Sequence, residues 1–265
     1  MQSDTPTPAL RLLRTGAIAT IVIDNKARMN ALTAAMWRQL PEIIAEAEGD
    51  PAVRVIVLRG EGERAFSAGA DISEFETARA GANAIEYDAL NDAAFTALSG
   101  CSKPTIAMIH GFCLGGGLGL ALCTDIRLAD EKAEFAIPAA KLGLGYNARW
   151  VRPLLAAIPP ARAKEMLFTA RRFTTDEALA MGLVNAVIPQ AELQAKINAL
   201  AEEIAANAPL TVRAAKLTID ALVRHPEAPD TSALDAAVDA CFDSADYAEG
   251  RRAFLEKRKP RFEGR

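Results

Sequence analysis

The fold depends on residues 104–122, which read PTIAMIHGFCLGGGLGLAL. An apolar run typical of a strand leads into a turn that holds Gly115, Gly116 and Gly117, and a small apolar helix follows. Without Cβ atoms, these glycines let another group approach the backbone closely. Their N–H groups lie where a helix begins, so they favour a developing anion. Tight packing would explain one or two glycines, but three in a row at this turn favour a binding site.

Two well-known glycine motifs do not fit this turn. A dinucleotide-binding G-x-G-x-x-G pattern would need glycine at position 120, where the chain has Leu120. A phosphate-binding P-loop needs a lysine directly after its glycines, and no lysine follows within this stretch. The turn is therefore better suited to a neutral oxygen that becomes charged during a reaction than to a phosphate.

The composition is that of a soluble globular protein. The 265 residues carry a net charge of −4, with 51% hydrophobic and 24% charged residues. This acidic balance argues against nucleic acid as the main partner. No apolar run is long enough to cross a membrane, and residues 1–8 lack the basic start and apolar core of a signal peptide. We expect a chain without a membrane span and with a frayed N-terminus.

Cysteine and histidine usage indicates neither disulfides nor a metal site. The four cysteines show no C-x-x-C spacing and are interpreted as packing thiols in a reducing cytoplasm. The two histidines, His110 and His225, lie far apart and have no cysteine pairs beside them. We therefore expect no zinc site, and we interpret His110 as a buried structural residue.

The N-terminal part reads as a strand–helix–strand unit. Residues 18–23 are typical of a strand, and Thr33 is a candidate N-cap for an amphipathic helix that continues to about Glu48. Pro41 within this helix is expected to kink or divide it. The β-branched run 53–58 is typical of a buried parallel strand. This order predicts a βαβ unit with a right-handed crossover.

A second run of small residues lies at positions 65–72, which read AFSAGADI. It resembles the nucleophile elbow G-x-S-x-G, but Ala65 stands where the first glycine should be. Because no histidine lies nearby in the sequence, Ser67 is interpreted as structural rather than nucleophilic. Asp71, at the end of the run, could cap the next helix.

The rest of the chain changes character along its length. A helix is predicted over 83–98, and helical patterns dominate from residue 149 onward, interrupted by a strand at 184–188. This layout predicts an α/β core over residues 1–190 and a helical C-terminal region over 191–265. The C-terminal region is too small to form an independent core.

Six stretches of the sequence occur together in one known family. They are NAL (30–32), FSAGADI (66–72), GFCLGGG (111–117), CTDIR (123–127), ALAMGLVN (178–185) and EGRRAFLEKR (249–258). They resemble the motifs of the crotonase superfamily, also called the enoyl-CoA hydratase/isomerase family. The resemblance covers nearly the whole chain in order. It implies a core of repeated ββα units in a spiral, and a C-terminal helical region that makes subunit contacts in a homotrimer or a dimer of trimers.

The resemblance also implies an acyl-CoA thioester as the ligand. Two backbone N–H groups hold the thioester oxygen in this family, and here they would belong to Ala70 and Gly116. Gly115 would let the ligand approach the same turn. Coenzyme A enters as part of the substrate, so the resemblance implies no separate cofactor. The adenine and pantetheine path would be lined by residues of the 68–72 turn, namely Ala68, Asp71 and Ile72.

Basic residues are the candidates for the coenzyme A phosphates. The family holds the nucleotide with basic residues near the first helix, which implies a role for Lys26 and Arg28. Lys257 or Lys259 could reach a phosphate, from this subunit or from a neighbouring one. The alternative for both C-terminal lysines is a solvated basic tail.

The sequence departs from the family pattern at both catalytic acids. The positions that carry glutamate in the hydratases are Gly119 and Ala139 here. Hydration needs one group to activate water and another to protonate the α-carbon, and neither glycine nor alanine can do so. We therefore do not expect an ordinary hydratase mechanism, and Ala139 also argues against the usual isomerase.

Other residues could replace the missing acids. Tyr146 lies where the family has a loop beside the acyl group, so it could donate a proton or a hydrogen bond, although a tyrosine at a turn can also be a packing anchor. Further candidates near the segment that covers the acyl pocket in the family are Glu74, Glu76, Tyr87 and Asp88. Two hypotheses follow: an enzyme that stabilises a thioester enolate with a non-standard proton donor, or a catalytically silent acyl-CoA binder. A third is a dinucleotide enzyme, which would bind nicotinamide, and we expect no such binding.

Overall fold

The structure is a computed structural model that describes residues 7–74, 83–224, 227 and 229–265. Within these ranges the strands form two sheets. The larger sheet contains, in spatial order, β1 (Ala9–Thr15), β2 (Ile18–Asp24), β3 (Val55–Gly60), β5 (Thr105–Ile109), β7 (Ile126–Asp130) and β10 (Ala186–Ile188). Strand β1 pairs antiparallel with β2, and the other neighbours pair parallel.

The smaller sheet contains the second strand of each of three successive strand pairs, together with one further strand. It contains, in spatial order, β4 (Ala65–Ser67), β6 (Phe112–Leu114), β8 (Glu134–Ala136) and β9 (Phe173–Thr174). In the pairs β3-β4, β5-β6 and β7-β8, the first strand belongs to the larger sheet and the second to the smaller one. The chain therefore repeats one structural step along the two sheets.

Helices surround these sheets, so the predicted α/β class is confirmed. They are α1 (Ala34–Gly49), α2 (Asn83–Gly100), α3 (Gly116–Leu122), α4 (Ala148–Ala157), α5 (Pro160–Thr169), α6 (Thr175–Ala180), α7 (Gln190–Ala205), α8 (Pro209–Arg224), α9 (Thr231–Phe242) and α10 (Ala245–Leu255). Among the described residues, none of these helices has the length and apolar character needed to cross a membrane.

The apolar run before the glycine turn is not one strand. Gly111 separates β5 from β6, with a φ of +50°. A Cβ atom at this position would lie 2.1 Å from the backbone oxygen of Arg64, so only glycine fits. The break moves the chain from the larger sheet to the smaller one, directly before the glycine turn.

The larger sheet is covered on both faces. Side chains alternate along β3, so Val55 and Val57 face one side and Ile56 and Leu58 face the other. The first pair packs against α7, and the second pair belongs to the main core between the sheets. Helix α7, which begins the predicted C-terminal region, therefore completes the core of the sheet. The division at residue 190 stays a prediction.

Helix α1 begins where the sequence predicts. The Thr33 side chain accepts a hydrogen bond from the backbone N–H of Met36, as an N-cap does. Of the two predicted effects of Pro41, division of the helix is wrong, because the helix runs unbroken from Ala34 to Gly49, and a kink stays a prediction. Its apolar face is fully buried around the proline, and this burial holds the helix together across the lost hydrogen bond.

The cysteines are free and mostly buried, as the sequence predicts. Cys101, Cys113 and Cys123 are buried, and Cys241 is half-buried. Burial raises the pKa of the Cys123 thiol to about 12, so this thiol stays protonated and unreactive near neutral pH. The cytoplasmic location inferred from cysteine usage stays a prediction.

Candidate functional site

The two runs of small residues pack directly against each other. A Cβ atom on Gly69 would lie 2.8 Å from the backbone oxygen of Leu114, and one on Gly117 would lie 2.7 Å from the Cβ of Ser67. Such distances exclude any side chain at either glycine. Ser67 holds its own turn together, since its Oγ donates to the Asn30 oxygen at 2.8 Å and accepts from Gly69 N at 3.1 Å. This agrees with a structural role for the serine.

The backbone N–H of Ala70 points away from its strand partner. Leu32 bridges to Ala70 in parallel fashion: its N–H donates to the Gly69 oxygen at 2.7 Å, and its oxygen accepts from Asp71 N at 2.9 Å. In a parallel bridge of this kind, the central residue directs its own N–H to the opposite side. The Ala70 N–H is thus directed away from Leu32.

Gly116 places a second N–H beside the first. It is the first residue of α3, where the N–H has no acceptor within the helix. The Ala70 nitrogen lies 3.8 Å from the position that a Cβ atom would take on Gly116. Both residues line one cavity, so the structure brings the two predicted donors together on the same wall.

This cavity has a volume of about 90 Å³. One wall is main chain from the two turns, contributed by Ala68, Gly69, Ala70, Gly115 and Gly116. The volume is well below that of sites for drug-sized ligands, typically about 300–1,000 Å³. A volume of this size suits a small chemical group rather than a long chain.

The opposite wall is mostly apolar and aromatic. It is formed by Phe95, Ile137, Ala139, Leu142, Leu144 and Trp150, together with Asn91 and Tyr146. The rings of Tyr146 and Trp150 meet edge to face with centroids 5.3 Å apart. Trp150 Nε1 donates to Asp92 at 2.7 Å, which fixes the indole. No carboxylate or imidazole lines the cavity among the described residues.

Gly119 and Ala139, where the family resemblance implies glutamate, lie in or beside this cavity region, and the loss of both acids stays a prediction. Ala139 is buried and lines the cavity. A Cβ atom on Gly119 would lie 2.7 Å from Cζ of Phe95, so the phenyl ring occupies the space that a side chain at 119 would need. Phe95 also packs edge to face against Trp37, with centroids 5.7 Å apart. The space beside Gly119 is thus filled by an aromatic side chain of α2.

Arg28 and Asp71 form an ion pair at the edge of the 65–72 turn. Arg28 Nη1 lies 2.8 Å from Asp71 Oδ1, and it also contacts Ser73 Oγ. Burial raises the pKa of Asp71, but the hydrogen bonds from Ser73 and Arg28 together outweigh it and lower that pKa overall. Lys26 is exposed, with its side chain beside Gly62. The roles of Lys26, Arg28 and Asp71 toward coenzyme A stay predictions.

The C-terminal lysines lie apart from the cavity. Lys257 and Lys259 are exposed and do not line it. The segment around them is not a free tail, because Glu263 N and Gly264 N donate to the carboxylate of Asp246 at 2.7 and 2.8 Å. A phosphate contact from Lys257 to the cavity of another subunit stays a prediction.

Several candidates for the replacement acid lie elsewhere. Glu74 Oε2 accepts from the backbone N–H of Ala34 at 2.7 Å, at the start of α1. Tyr87 is buried and Asp88 is half-buried, and neither lines the cavity. Of the predicted candidates that the structure describes, only Tyr146 lies on the wall.

Three further points concern residues outside this group. His110 is buried, and its Nδ1 lies 3.1 Å from Asp130 Oδ2, in agreement with a structural role. Glu76 and His225 lie outside the described residues. Ile72 has its backbone in a short 3-10 helix, and its side chain also lies outside the description.

Apart from Tyr146, the sequence does not identify the residues of the aromatic wall. Asn91 and Phe95 lie one helical turn apart on α2, and Trp150 lies on α4. The i, i+4 spacing places Asn91 and Phe95 on one face of the predicted helix, which is the signal that could have paired them. Only the packing of α2 over the glycine turn shows that this face meets the cavity.

Comparison with known proteins gives the same family over nearly the whole chain. The family model described as enoyl-CoA hydratase/isomerase matches residues 14–265. The short-chain-enoyl-CoA hydratase of Clostridium acetobutylicum is 35% identical, over 94% of this chain and 95% of its own. The carnitinyl-CoA dehydratase of Escherichia coli O157:H7 is 34% identical, over 97% of this chain and 99% of its own.

Solved structures agree. An enoyl-CoA hydratase/carnithine racemase from Magnetospirillum magneticum superposes with a TM-score of 0.91 at 39% identity, covering 98% of this chain and 97% of the other. A protein from Hyphomonas neptunium described as a member of the enoyl-CoA hydratase/isomerase family gives 0.92 at 39% identity, covering 97% and 98%. The predicted fold is therefore confirmed, and the chain belongs to the enoyl-CoA hydratase/isomerase family of the crotonase superfamily.

Proposed function

We propose that this protein is an acyl-CoA-binding enzyme that stabilises a thioester enolate with the backbone N–H groups of Ala70 and Gly116. The observation that carries the proposal is that both residues line one small cavity, with the Ala70 nitrogen 3.8 Å from the position of a Cβ atom on Gly116. Donors aimed at the oxygen where charge develops are each worth about 2.7–4 kcal/mol in the transition state. The relatives named as hydratases and dehydratases of CoA thioesters support the same ligand class.

The acid–base chemistry of this enzyme is non-standard. Neither Gly119 nor Ala139 can move a proton, and no described carboxylate lines the cavity. Tyr146 is the titratable residue on the wall, so we assign it the role of proton donor to the enolate. The hydroxyl group of a tyrosine can act as a general acid.

An exact replacement of the donor tests the proposal. Lactic acid in place of Ala70 exchanges the backbone N–H for an ester oxygen and keeps the methyl group. We expect kcat/KM toward the best CoA thioester to fall about 10²–10³-fold. The matched control is lactic acid in place of Ala68. The Ala68 N–H donates to the Met29 oxygen at 2.9 Å, so its loss should lower the stability of the protein instead. Unchanged kcat/KM with the ester at 70 would refute the proposed role.

A catalytically silent acyl-CoA binder is the second candidate function. The lack of a carboxylate along the described cavity wall favours it. Calorimetric binding and turnover with enoyl-, dienoyl- and hydroxyacyl-CoA thioesters separate the two functions. Binding of a thioester without any turnover would leave the silent binder, and turnover would leave the enzyme.

We also propose that the chain forms a homotrimer or a dimer of trimers through its C-terminal helices. Helices α8 to α10 carry large apolar side chains that are exposed in the single chain, among them Ile219, Val223, Phe242, Phe254 and Leu255. Apolar surface of this kind marks a contact site. Light scattering after size exclusion should give three or six times 28.2 kDa, and a mass of one chain would contradict the proposal.

A further inference from the structure

We propose that Asn91 is a specificity-determining residue that selects acyl groups bearing a hydroxyl substituent. This inference rests on the proposed acyl-CoA function and names the substrate class of the same cavity. Asn91 lies in the middle of α2 and lines the cavity, and only 5% of it is exposed. It is a buried amide on a wall whose other side chains are apolar or aromatic.

The hydrogen-bonding capacity of Asn91 is only partly used. Its Nδ2 donates to the backbone oxygen of Tyr87, one helical turn earlier, at 2.8 Å. Among the described residues, Oδ1 accepts no hydrogen bond, and the second N–H of the amide finds no acceptor. An amide carries two donors and one acceptor site with two lone pairs, so one donor and the acceptor remain for a ligand.

The bond to Tyr87 also fixes the direction of this unused capacity. It restricts the rotation of the side chain, so the amide is held in place before a ligand arrives. Phe95, one turn later on the same helix face, is a phenyl group and offers no partner. The described wall supplies no complementary group, so a ligand in the cavity can supply it.

A hydroxyl is the simplest group that meets both needs. It donates one hydrogen bond to Oδ1 and accepts another from the free N–H. A methyl group of similar size would leave both amide atoms unpaired after water is expelled, which is costly in an enclosed site. The cavity of about 90 Å³ limits the acyl group to a few carbons. The inferred substrate class is a short hydroxyacyl thioester of coenzyme A.

Binding of matched thioesters tests this inference. The pairs are 3-hydroxybutanoyl-CoA with 3-methylbutanoyl-CoA, and 4-hydroxybutanoyl-CoA with pentanoyl-CoA, measured by titration calorimetry on the full chain. In at least one pair we expect the wild-type protein to bind the hydroxyl compound about tenfold more tightly. Asn91→Leu, which keeps the size of the side chain, should abolish or reverse that preference. Asn198→Leu, on the exposed face of α7, is the control and should leave the preference unchanged.

The outcomes are distinct. Equal affinity within both pairs in the wild-type protein would overturn the role of Asn91 while leaving the acyl-CoA function intact. Failure of all four thioesters to bind would instead overturn the acyl-CoA function itself. A hydroxyl preference that survives in Asn91→Leu would also overturn the inference. Should Asn91→Leu not fold, the wild-type pairs alone decide.

Discussion

Gly119→Ala tests the packing between α3 and α2. Alanine is normally the better helix residue, and glycine in a helix costs about 0.5–1 kcal/mol relative to it. Here the added Cβ would lie 2.7 Å from Cζ and 3.1 Å from Cε1 of Phe95. The ring cannot simply move away, because it is packed edge to face against Trp37 and Trp150.

Gly119→Ala is therefore expected to destabilise the protein, whereas a glycine-to-alanine substitution within a helix usually stabilises it. Overpacking of a filled core costs about 1–3 kcal/mol. After subtraction of the gain in helix propensity, Gly119→Ala should lower the free energy of unfolding by about 1 kcal/mol. In a chain of this size, that corresponds to a fall in Tm of about 2–4 °C.

Gly250→Ala is the matched control. Gly250 lies within helix α10, where a Cβ atom would make an ordinary contact of 3.5 Å with Phe262. This substitution should raise the free energy of unfolding by about 0.5–1 kcal/mol. Urea denaturation at fixed protein concentration compares the two variants, and Phe95→Leu in the Gly119→Ala background should restore part of the loss. If Gly119→Ala stabilises the protein as much as Gly250→Ala does, the phenyl ring does not fill this space and the reasoning fails.

The contact between Gly119 and Phe95 also affects any attempt to introduce the two acids that the family resemblance implies. Glutamates at Gly119 and Ala139 should produce hydratase activity only when Phe95 is also shortened to alanine. The triple variant is compared with the double variant that retains Phe95, using crotonyl-CoA hydration as the assay. Equal activity in both would contradict the steric argument, and no activity in a folded triple variant would contradict the placement of the two acids.

Three further predictions concern other parts of the molecule. Tyr146→Phe should lower kcat by about 10²–10⁴-fold and leave thioester affinity nearly unchanged, as measured by single turnover and calorimetry; unchanged kcat would exclude it as the proton donor. Asp71→Asn should lower stability by about 1–3 kcal/mol at neutral pH through loss of the bonds from Arg28 and its neighbours. Since the pKa of Asp71 is lowered in the folded state, its contribution is present above about pH 4 and is lost as the pH falls through the folded pKa, so the two proteins should converge in acid denaturation. Gly111→Ala should cost more than about 3 kcal/mol, whereas Gly16→Ala, with a similar positive φ and nothing within 4 Å, should cost about 1–2 kcal/mol.

The sequence predicts the interior of the larger sheet well. The β-branched runs of β2 and β3 are buried on both sides, and such strands are recognisable from composition alone. The sequence does not predict strand β1, because it is an edge strand that carries exposed charged residues such as Arg11 and Arg14. The step from β5 to β6 was also missed, since the clash that requires Gly111 comes from the backbone of Arg64, distant in sequence.

The candidate site likewise has one wall that the sequence predicts and one that it does not. The main-chain wall around Ala70 and Gly116 follows from small residues at two turns and from the family resemblance. The side-chain wall depends on how α2 and α4 lie over those turns, and periodicity does not give the placement of one helix on another. Phe95 illustrates this limit, because its relation to Gly119 joins two elements that are separate in the sequence.

The position of α7 has a consequence for synthesis of the protein. Leu193, Ile197 and Ala201 cover a face of the larger sheet that includes Val55 and Ile106. A chain emerging from the ribosome completes the strands up to β7 well before this helix is translated. Until then, apolar side chains on one face of the larger sheet are exposed to water. Such a surface can bind chaperones or self-associate. The nascent chain therefore cannot bury this face of the sheet until helix α7 (Gln190–Ala205) has been synthesised.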